Sequence, residues 1–445
     1  MKNDGSMINA FVPGQGGLTE NESRLVERRA KTLGPAYRLF YKHPVHLVRG
    51  EGVWLYDPQG RAYLDCYNNV ASVGHCHPRV VAATAAQAAT FASHTRYLHE
   101  TVLDYAEALL ATFPAELGHV MFTCTGSEAN DLALRIARAA TGGTGIIVTE
   151  TAYHGVTQAV SGFSPSLGEG VPLGEHVRTV PAPDPLRLPG DLGTAFAAGV
   201  QAAIDDLTRH GVKPAVLIVD TVFSSDGVFA DPPGFLAPAV EAIRKAGGLF
   251  IADEVQPGFG RTGSHMWGFQ RHRIVPDMVS LGKPMGNGYP VAGLVLRPEV
   301  IADFGAKARY FNTFGGNAVA AATAMAVLDV IRDEGLQQNA ATVGAAFRAG
   351  LADLATRHAA LGPTRGAGLF VGQEIVANGD PMAAEAAEAA RIVNDLREEG
   401  VLISATGPRA NVLKIRPPLP FSLDNLAFFL DRLDKVLART SVKSK

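Results

Sequence analysis

Cysteine is nearly absent from this chain. Three occur in 445 residues, Cys66, Cys76 and Cys124. None forms a C-x-x-C pair, which excludes both a disulfide framework and a structural zinc knuckle. His75 and His77 flank Cys76 in "GHCHP", but neighbours at i and i+2 without a distant histidine or cysteine are poor ligand geometry, so no metal is expected. No apolar run is long enough to span a bilayer, so no membrane association is expected. The opening "MKNDGSMINAFVPGQGG" lacks the regions of a secretory signal, and a cytoplasmic location is the expectation. An excess of either charge is missing too. Lys and Arg number 40 against 43 Asp and Glu, a net charge of -3, which offers no field for nucleic acid or an anionic surface. Internal repeats and low-complexity linkers are also lacking. A small-molecule partner is what remains.

What is present describes an enzyme-sized globular chain, with 47% hydrophobic and 19% charged residues, ordinary values for such a protein. Its length exceeds a usual single domain, so one large and one smaller domain are expected. Residues 20 to 45 read as a helix of mixed charge. "GVWLYDPQGRAYLDCY" alternates around a Pro-Gln-Gly turn as a hairpin does, and an alanine-rich helix follows from Pro78 to about Ala92. Six apolar runs then interleave with helical segments: "HVMFTC", "GIIVTE", "AVLIVD", "GLFIAD", "DMVSLG" and "VAGLVL". Runs without polar alternation belong to strands buried on both faces, and their interleaving predicts an α/β domain with a mostly parallel sheet and ligands at the strand C-terminal ends. After about residue 325 come further helices and the runs "GAGLFVGQEI", "VLISAT" and "VLKIRPP". A last helix from Ser422 carries Leu426, Phe429, Leu430, Leu433, Val436 and Leu437 as a core-facing stripe. The predicted division is residues 1–75 contributing to the small domain, 76–325 as the large domain and 326–445 completing the small one.

Chemistry concentrates at the strand ends. In "PDMVSLGKPMGNGYPVAG", Lys283 stands between an apolar strand and a Gly-x-Gly turn, the place of a nucleophilic amine, although a solvated loop lysine would look the same in isolation. "FTCTGSEAND" sets Thr125, Gly126 and Ser127 between a strand and a helix beginning near Glu128, where free N–H groups make an anion cup. "GLFIADEVQPGFGRTG" ends a buried strand in Asp253 and Glu254; a carboxylate there needs a cationic partner, and a protonated pyridine nitrogen is one. "ETAYHGVT" offers Tyr153 and His154, the tyrosine able to stack on a ring. Phosphate cup, carboxylate, aromatic face and amine together fit pyridoxal 5'-phosphate, whose protein partners are a Schiff-base lysine and a carboxylate on the pyridinium nitrogen.

From about Arg38 to its end the chain resembles the class III aminotransferases of fold type I, through "GHCHPRV", "TGSEANDLALRIAR", "AYHG", "FIADEVQPGFGRTG", "SLGKPMGNGYP" and "FNTFGGN". The resemblance implies that Lys283 carries the cofactor and shuttles protons, that Asp253 pairs with the pyridine nitrogen, and that Val255 packs behind the ring. It further implies that Gln256 approaches the phenolic oxygen, that Tyr153 stacks on the ring, and that Gly126 and Ser127 hold the phosphate. Thr313 would bind the phosphate of a neighbouring subunit's cofactor, making the protein a homodimer with shared sites.

Within that family the chain is most similar to the phospho-lyase branch acting on ethanolamine phosphate and 5-phosphohydroxy-L-lysine, through "LDCYNNVASVGHCHP", "HTRYLHE", "GKPMGNGYPVA" and "VLISATGPRANVLKIRPPLPFS". Where many relatives place a mobile arginine for a keto acid carboxylate, this chain aligns Ser404, with Arg409 and Arg416 nearby. An arginine fork with amide donors suits a phosphate dianion, so Arg96, with Asn68 or Asn69, is the candidate phosphate site. A helical i, i+4 ion pair of Arg96 with Glu100 is the competing role. Asp220 stands where many relatives have glutamate and receives no catalytic role. The expected activity is release of phosphate and ammonia from an O-phosphorylated amino alcohol; the alternative is an omega-aminotransferase using pyruvate or 2-oxoglutarate.

Overall fold

The computed structural model describes Met7, residues 9–14 and residues 17–441. Its centre is a seven-stranded sheet in the order His119–Thr123, Ala292–Leu296, Met278–Leu281, Leu249–Asp253, Pro214–Asp220, Gly145–Thr149, Val177–Val180. The six apolar runs supply six of these strands. The seventh, Val177–Val180, escapes the pattern because it is an edge strand with two half-polar positions, Arg178 and Thr179. Ala292–Leu296 alone runs against its neighbours in this sheet, so the sheet is mostly parallel and the other strands point their C-terminal ends one way. Strand interiors such as Ile146, Ile147, Val216, Leu217, Phe250, Ile251 and Val279 are fully buried, as a sheet covered by helices on both faces requires.

Two smaller sheets stand beside it. Leu361–Ala367, Phe370–Ile375, Val412–Ile415 and Ser404–Thr406 form an antiparallel four-stranded sheet. The predicted hairpin, Trp54–Tyr56 and Ala62–Asp65, joins Arg49–Glu51 on one side and Val401–Leu402 on the other. Through this last pairing, Val401 opposite Leu64, the two ends of the chain share a sheet. The last helix, Leu423–Ser441, buries Leu426, Phe429, Leu433, Val436 and Leu437 as its stripe requires.

The first helix is shorter than the sequence pattern implied. It runs Glu20–Leu33 rather than to residue 45, opened by a Thr19–Glu22 capping box and closed at Gly34, whose φ of 72° is followed by Pro35. A left-handed glycine and a proline end a helix whatever the charge pattern beyond them. The alanine-rich helix is Pro78–Thr90, with Pro78 in its first turn. The "GHCHP" histidines part company: His75 Nε2 lies 2.7 Å from Asp65 Oδ2 and His77 Nε2 3.0 Å from Glu334 Oε1. Among the described residues, no helix is long and apolar enough to cross a membrane.

Candidate active site

Strand ends build the site. A cavity of about 190 Å³ opens at the C-terminal edge of the central sheet, lined by Thr125, Gly126, Ser127, Tyr153, Asp220, Asp253, Val255, Gln256 and Lys283, with His154 and Gly155. Residues from five separate strand ends, spread over nearly 160 positions of sequence, meet here because parallel strands deliver their following loops to one edge.

The anion cup is the start of the helix Gly126–Thr141. Its N-cap is Thr125, whose hydroxyl accepts from Glu128 N, so the helix begins two residues earlier than Glu128. The first N–H groups, those of Gly126 and Ser127, have no intrahelical acceptor and carry the positive end of the helix dipole. Close approach explains the glycines. A Cβ on Gly126 would lie 2.9 Å from Val255 Cγ2, and one on Gly155 2.4 Å from Ser127 Oγ. Gly155 also has a φ of 135°, which other residues adopt only under strain.

Asp253 ends its strand nearly buried. Its Oδ1 accepts from Val255 N at 3.1 Å, and its Oδ2 accepts from Asn130 Nδ2 at 3.0 Å with His154 Nδ1 at 2.8 Å. Val255 lies between Gly126 and Gly282, whose absent side chains give it room. Glu254, next in the chain, points away. Its carboxyl accepts from Thr221 Oγ1, Gly268 N and Phe269 N, each at 2.7 Å, and burial pushes it up to about 7. Tyr153 is about one-third exposed and faces the cavity, its ring centroid 5.9 Å from Lys283 Nζ.

Lys283 follows the strand Met278–Leu281 in a turn held from outside: Ser72 Oγ donates to Pro284 O at 3.0 Å, and Asn287 receives Val73 N and donates to Gly74 O. Burial first, then the Arg416 cation, lowers its amine from the ordinary lysine range, with Asp253 and Asp220 opposing. An amine lowered in this way is a better nucleophile and base near neutral pH.

Arg416 was legible only as a nearby cation. The structure brings its guanidinium onto Gln256 Oε1, from 160 positions away, and over the Tyr67 ring at 4.5 Å. Buried Lys414, two residues earlier on the strand Val412–Ile415, feels the charges of Asp220, Lys283 and Arg416, and burial depresses its amine far below the usual lysine range. Asp220 lines the cavity, its carboxylate accepting from Val222 N and Ser224 Oγ, and burial raises it. The sequence names Arg416 and Asp220 without placing them at the site, and no local motif announces Lys414. Asn130, on the cup helix, also went unsingled; its only signal was a polar residue on a buried helical face.

The substrate-phosphate candidates are spread out. Asn69 is buried behind Gln256, its Nδ2 donating to Gln256 O at 3.4 Å, while Asn68 Oδ1 caps Val70 N. Arg96 lies off this chain's cavity on an exposed loop, its guanidinium 3.8 Å from the Phe311 ring centroid. It precedes the helix Glu100–Leu110 instead of lying on it, so the helical i, i+4 pairing with Glu100 does not arise. Thr313 is likewise exposed and outside the cavity. Ser404 is buried against Asn9 Oδ1 at 3.2 Å.

The cup, the cradle around Val255 and the donor-fixed Asp253 fit the phosphate, ring and nitrogen of pyridoxal phosphate. Comparison with known proteins agrees. The family model for class III aminotransferases matches residues 39–437. An alanine–glyoxylate aminotransferase 2-like protein of Drosophila melanogaster is 39% identical over 92% of this chain and 86% of its own length. An ethanolamine-phosphate phospho-lyase homolog of Caenorhabditis elegans is 35% identical over 94% of each. Among solved structures, a phospholyase from Arthrobacter in complex with phosphoethanolamine superposes with a TM-score of 0.90 at 43% identity, covering 93% of this chain and 99% of that one. The chain belongs to the class III aminotransferase family, mixed α/β enzymes of fold type I that depend on pyridoxal phosphate.

Proposed function

We propose that this protein is a phospho-lyase that releases phosphate and ammonia from an O-phosphorylated amino alcohol, with ethanolamine phosphate first and 5-phosphohydroxylysine second. The observation that carries this is the likeness to the Arthrobacter phospholyase with phosphoethanolamine over nearly the whole of both chains. The Arg416 guanidinium, held on the cavity residue Gln256, adds to it, because a phosphate dianion is held by charge-assisted hydrogen bonds.

Bound pyridoxal phosphate supplies an electron sink for the pair left behind when the amine-bearing carbon loses a proton. Gly126 and Ser127 would hold its phosphate, Asp253 would pair with its ring nitrogen, Val255 and Tyr153 would pack against its ring, and Gln256 would approach its phenolic oxygen. The Lys283 amine takes the proton from the substrate carbon. Phosphate then leaves the adjacent carbon with the C–O bonding pair, and the unsaturated amine takes up water to give acetaldehyde and ammonia. Arg96, with Asn68 or Asn69, receives the departing phosphate.

Two copies sharing their sites make that last assignment workable. Leu98 is 98% exposed and Phe314 68% exposed on the surface that also carries Arg96, Phe311 and Thr313, an apolar face suited to another subunit. Since Arg96 rests on Phe311, a contact that carries Thr313 to a partner's cofactor carries Arg96 there as well.

Transamination with pyruvate or 2-oxoglutarate is the alternative, favoured by the aminotransferase relative at 39% identity. The two are separated by incubating holoenzyme with O-phosphoethanolamine and no keto acid, beside Lys283→Ala. Sustained release of phosphate and acetaldehyde, absent in the variant, supports the lyase. A single turnover that resumes only with pyruvate supports the transaminase. In the lyase, Arg96→Ala is expected to lower kcat/KM by roughly tenfold or more, the worth of one hydrogen bond to a charged group; an unchanged value removes Arg96 from the phosphate site.

A further inference from the structure

"AYHG" contributes its tyrosine to the proposed chemistry, but its histidine is left without a role. His154 is buried, its side chain 1% exposed, with Nδ1 2.8 Å from Asp253 Oδ2. Nε2 is buried and has no hydrogen-bond partner, and the ring lies against Phe163 at 6.0 Å between centroids. The backbone on either side is fixed. His154 N donates to Ser164 Oγ at 3.1 Å, and His154 O accepts from Asn130 Nδ2 at 2.8 Å.

Asn130 therefore bridges two acceptors, His154 O and Asp253 Oδ2, with one amide nitrogen. Both partners accept, so the amide orientation is decided by chemistry. The same reasoning decides the histidine. A carboxylate oxygen facing Nδ1 requires a proton on Nδ1. That hydrogen bond fixes the orientation of the Asp253 carboxylate from behind. Two donors occupy Oδ2 and only Val255 N occupies Oδ1, which leaves an Oδ1 lone pair for the ring nitrogen.

We infer that His154, assisted by Asn130, is a positioning residue that fixes Asp253 as an oriented anion toward the cofactor's ring nitrogen. This rests on pyridoxal phosphate as the cofactor, common to the lyase and the transaminase, so its success or failure is independent of which of them is right.

The test compares His154→Leu, which removes the donor, with His154→Asn, whose amide N–H falls near the Nδ1 position. The readouts are the pyridoxal phosphate dissociation constant of the apoenzyme and the absorption spectrum of the loaded protein. We expect the leucine variant to bind about tenfold or more weakly with an altered spectrum, the asparagine variant to stay within about threefold of native, and leucine to add nothing in an Asp253→Asn background. Native affinity and spectrum in the leucine variant overturn the inference. So do equal losses in both variants, or a leucine effect that persists without the Asp253 carboxylate. If His154→Leu does not fold, His154→Gln replaces it, since its amide reaches toward Nε2. Glutamine must then bind weakly where asparagine does not, and equal binding overturns the inference.

Discussion

Asp226 offers a quantitative test of how the loop beside the site is held. Its carboxyl is 3% exposed; Oδ2 accepts from Thr149 Oγ1 at 2.8 Å and Oδ1 from Thr151 Oγ1 at 2.5 Å. Burial pushes it from an ordinary 3.8 to about 6, against the two hydroxyl bonds and with help from Asp220. The folded value is raised above the unfolded one, so the folded protein holds the proton more tightly. The corresponding stability is fully present below about pH 4 and is lost as pH rises through about 6. A shift of roughly two units is worth about 3 kcal/mol. Asp226→Asn is neutral at every pH, and threonine hydroxyls turn to suit an amide as readily as an acid. The variant should therefore match the native protein near pH 4 and exceed it near pH 8 by about 3 kcal/mol, or about 3 °C in Tm for a chain of this length. Calorimetry of both proteins at fixed scan rate from pH 4 to 8 reads the difference directly. A pH-independent difference, or a variant that loses ground as pH rises, would refute the reasoning. The second result would mean that Lys414, which senses Asp226, holds it ionised.

Other consequences bear on the site itself. Gly155→Ala should weaken pyridoxal phosphate binding by about tenfold or more, because the new methyl must displace Ser127 Oγ at 2.4 Å from a left-handed backbone; equilibrium dialysis of the apoenzyme checks it. Since Arg416 lowers the Lys283 amine, Arg416→Gln should move the pH midpoint for cofactor capture by the apoenzyme upward, read from capture rates between pH 6 and 10. Leu98→Asp should reduce the mass seen by light scattering to that of one chain if the exposed face of Leu98 and Phe314 joins two copies.

The linear sequence was enough for the architecture where apolar periodicity is strong. The runs ending at Thr123, Thr149, Asp220, Asp253, Leu281 and Leu296 are strands of the central sheet, because a strand buried on both faces must be apolar throughout. Strand ends giving way to loops were enough to pick out Gly126, Ser127, Tyr153, Asp253 and Lys283, and the family resemblance added Val255 and Gln256; all seven share one cavity. The linear sequence fell short at the first helix, where Gly34 and Pro35 overrule a favourable charge pattern, and at Val177–Val180, where an edge strand has little to bury. Only the tertiary structure could decide the contacts that cross the chain. Arg416 on Gln256, Asn130 and His154 on Asp253, and Asn69 behind Gln256 involve partners from 99 to 187 positions apart, with the ends of the set at His154–Asp253 and Asn69–Gln256. Local pattern reports which face of an element is buried. The partner of a buried polar group is chosen by where the other elements come to rest.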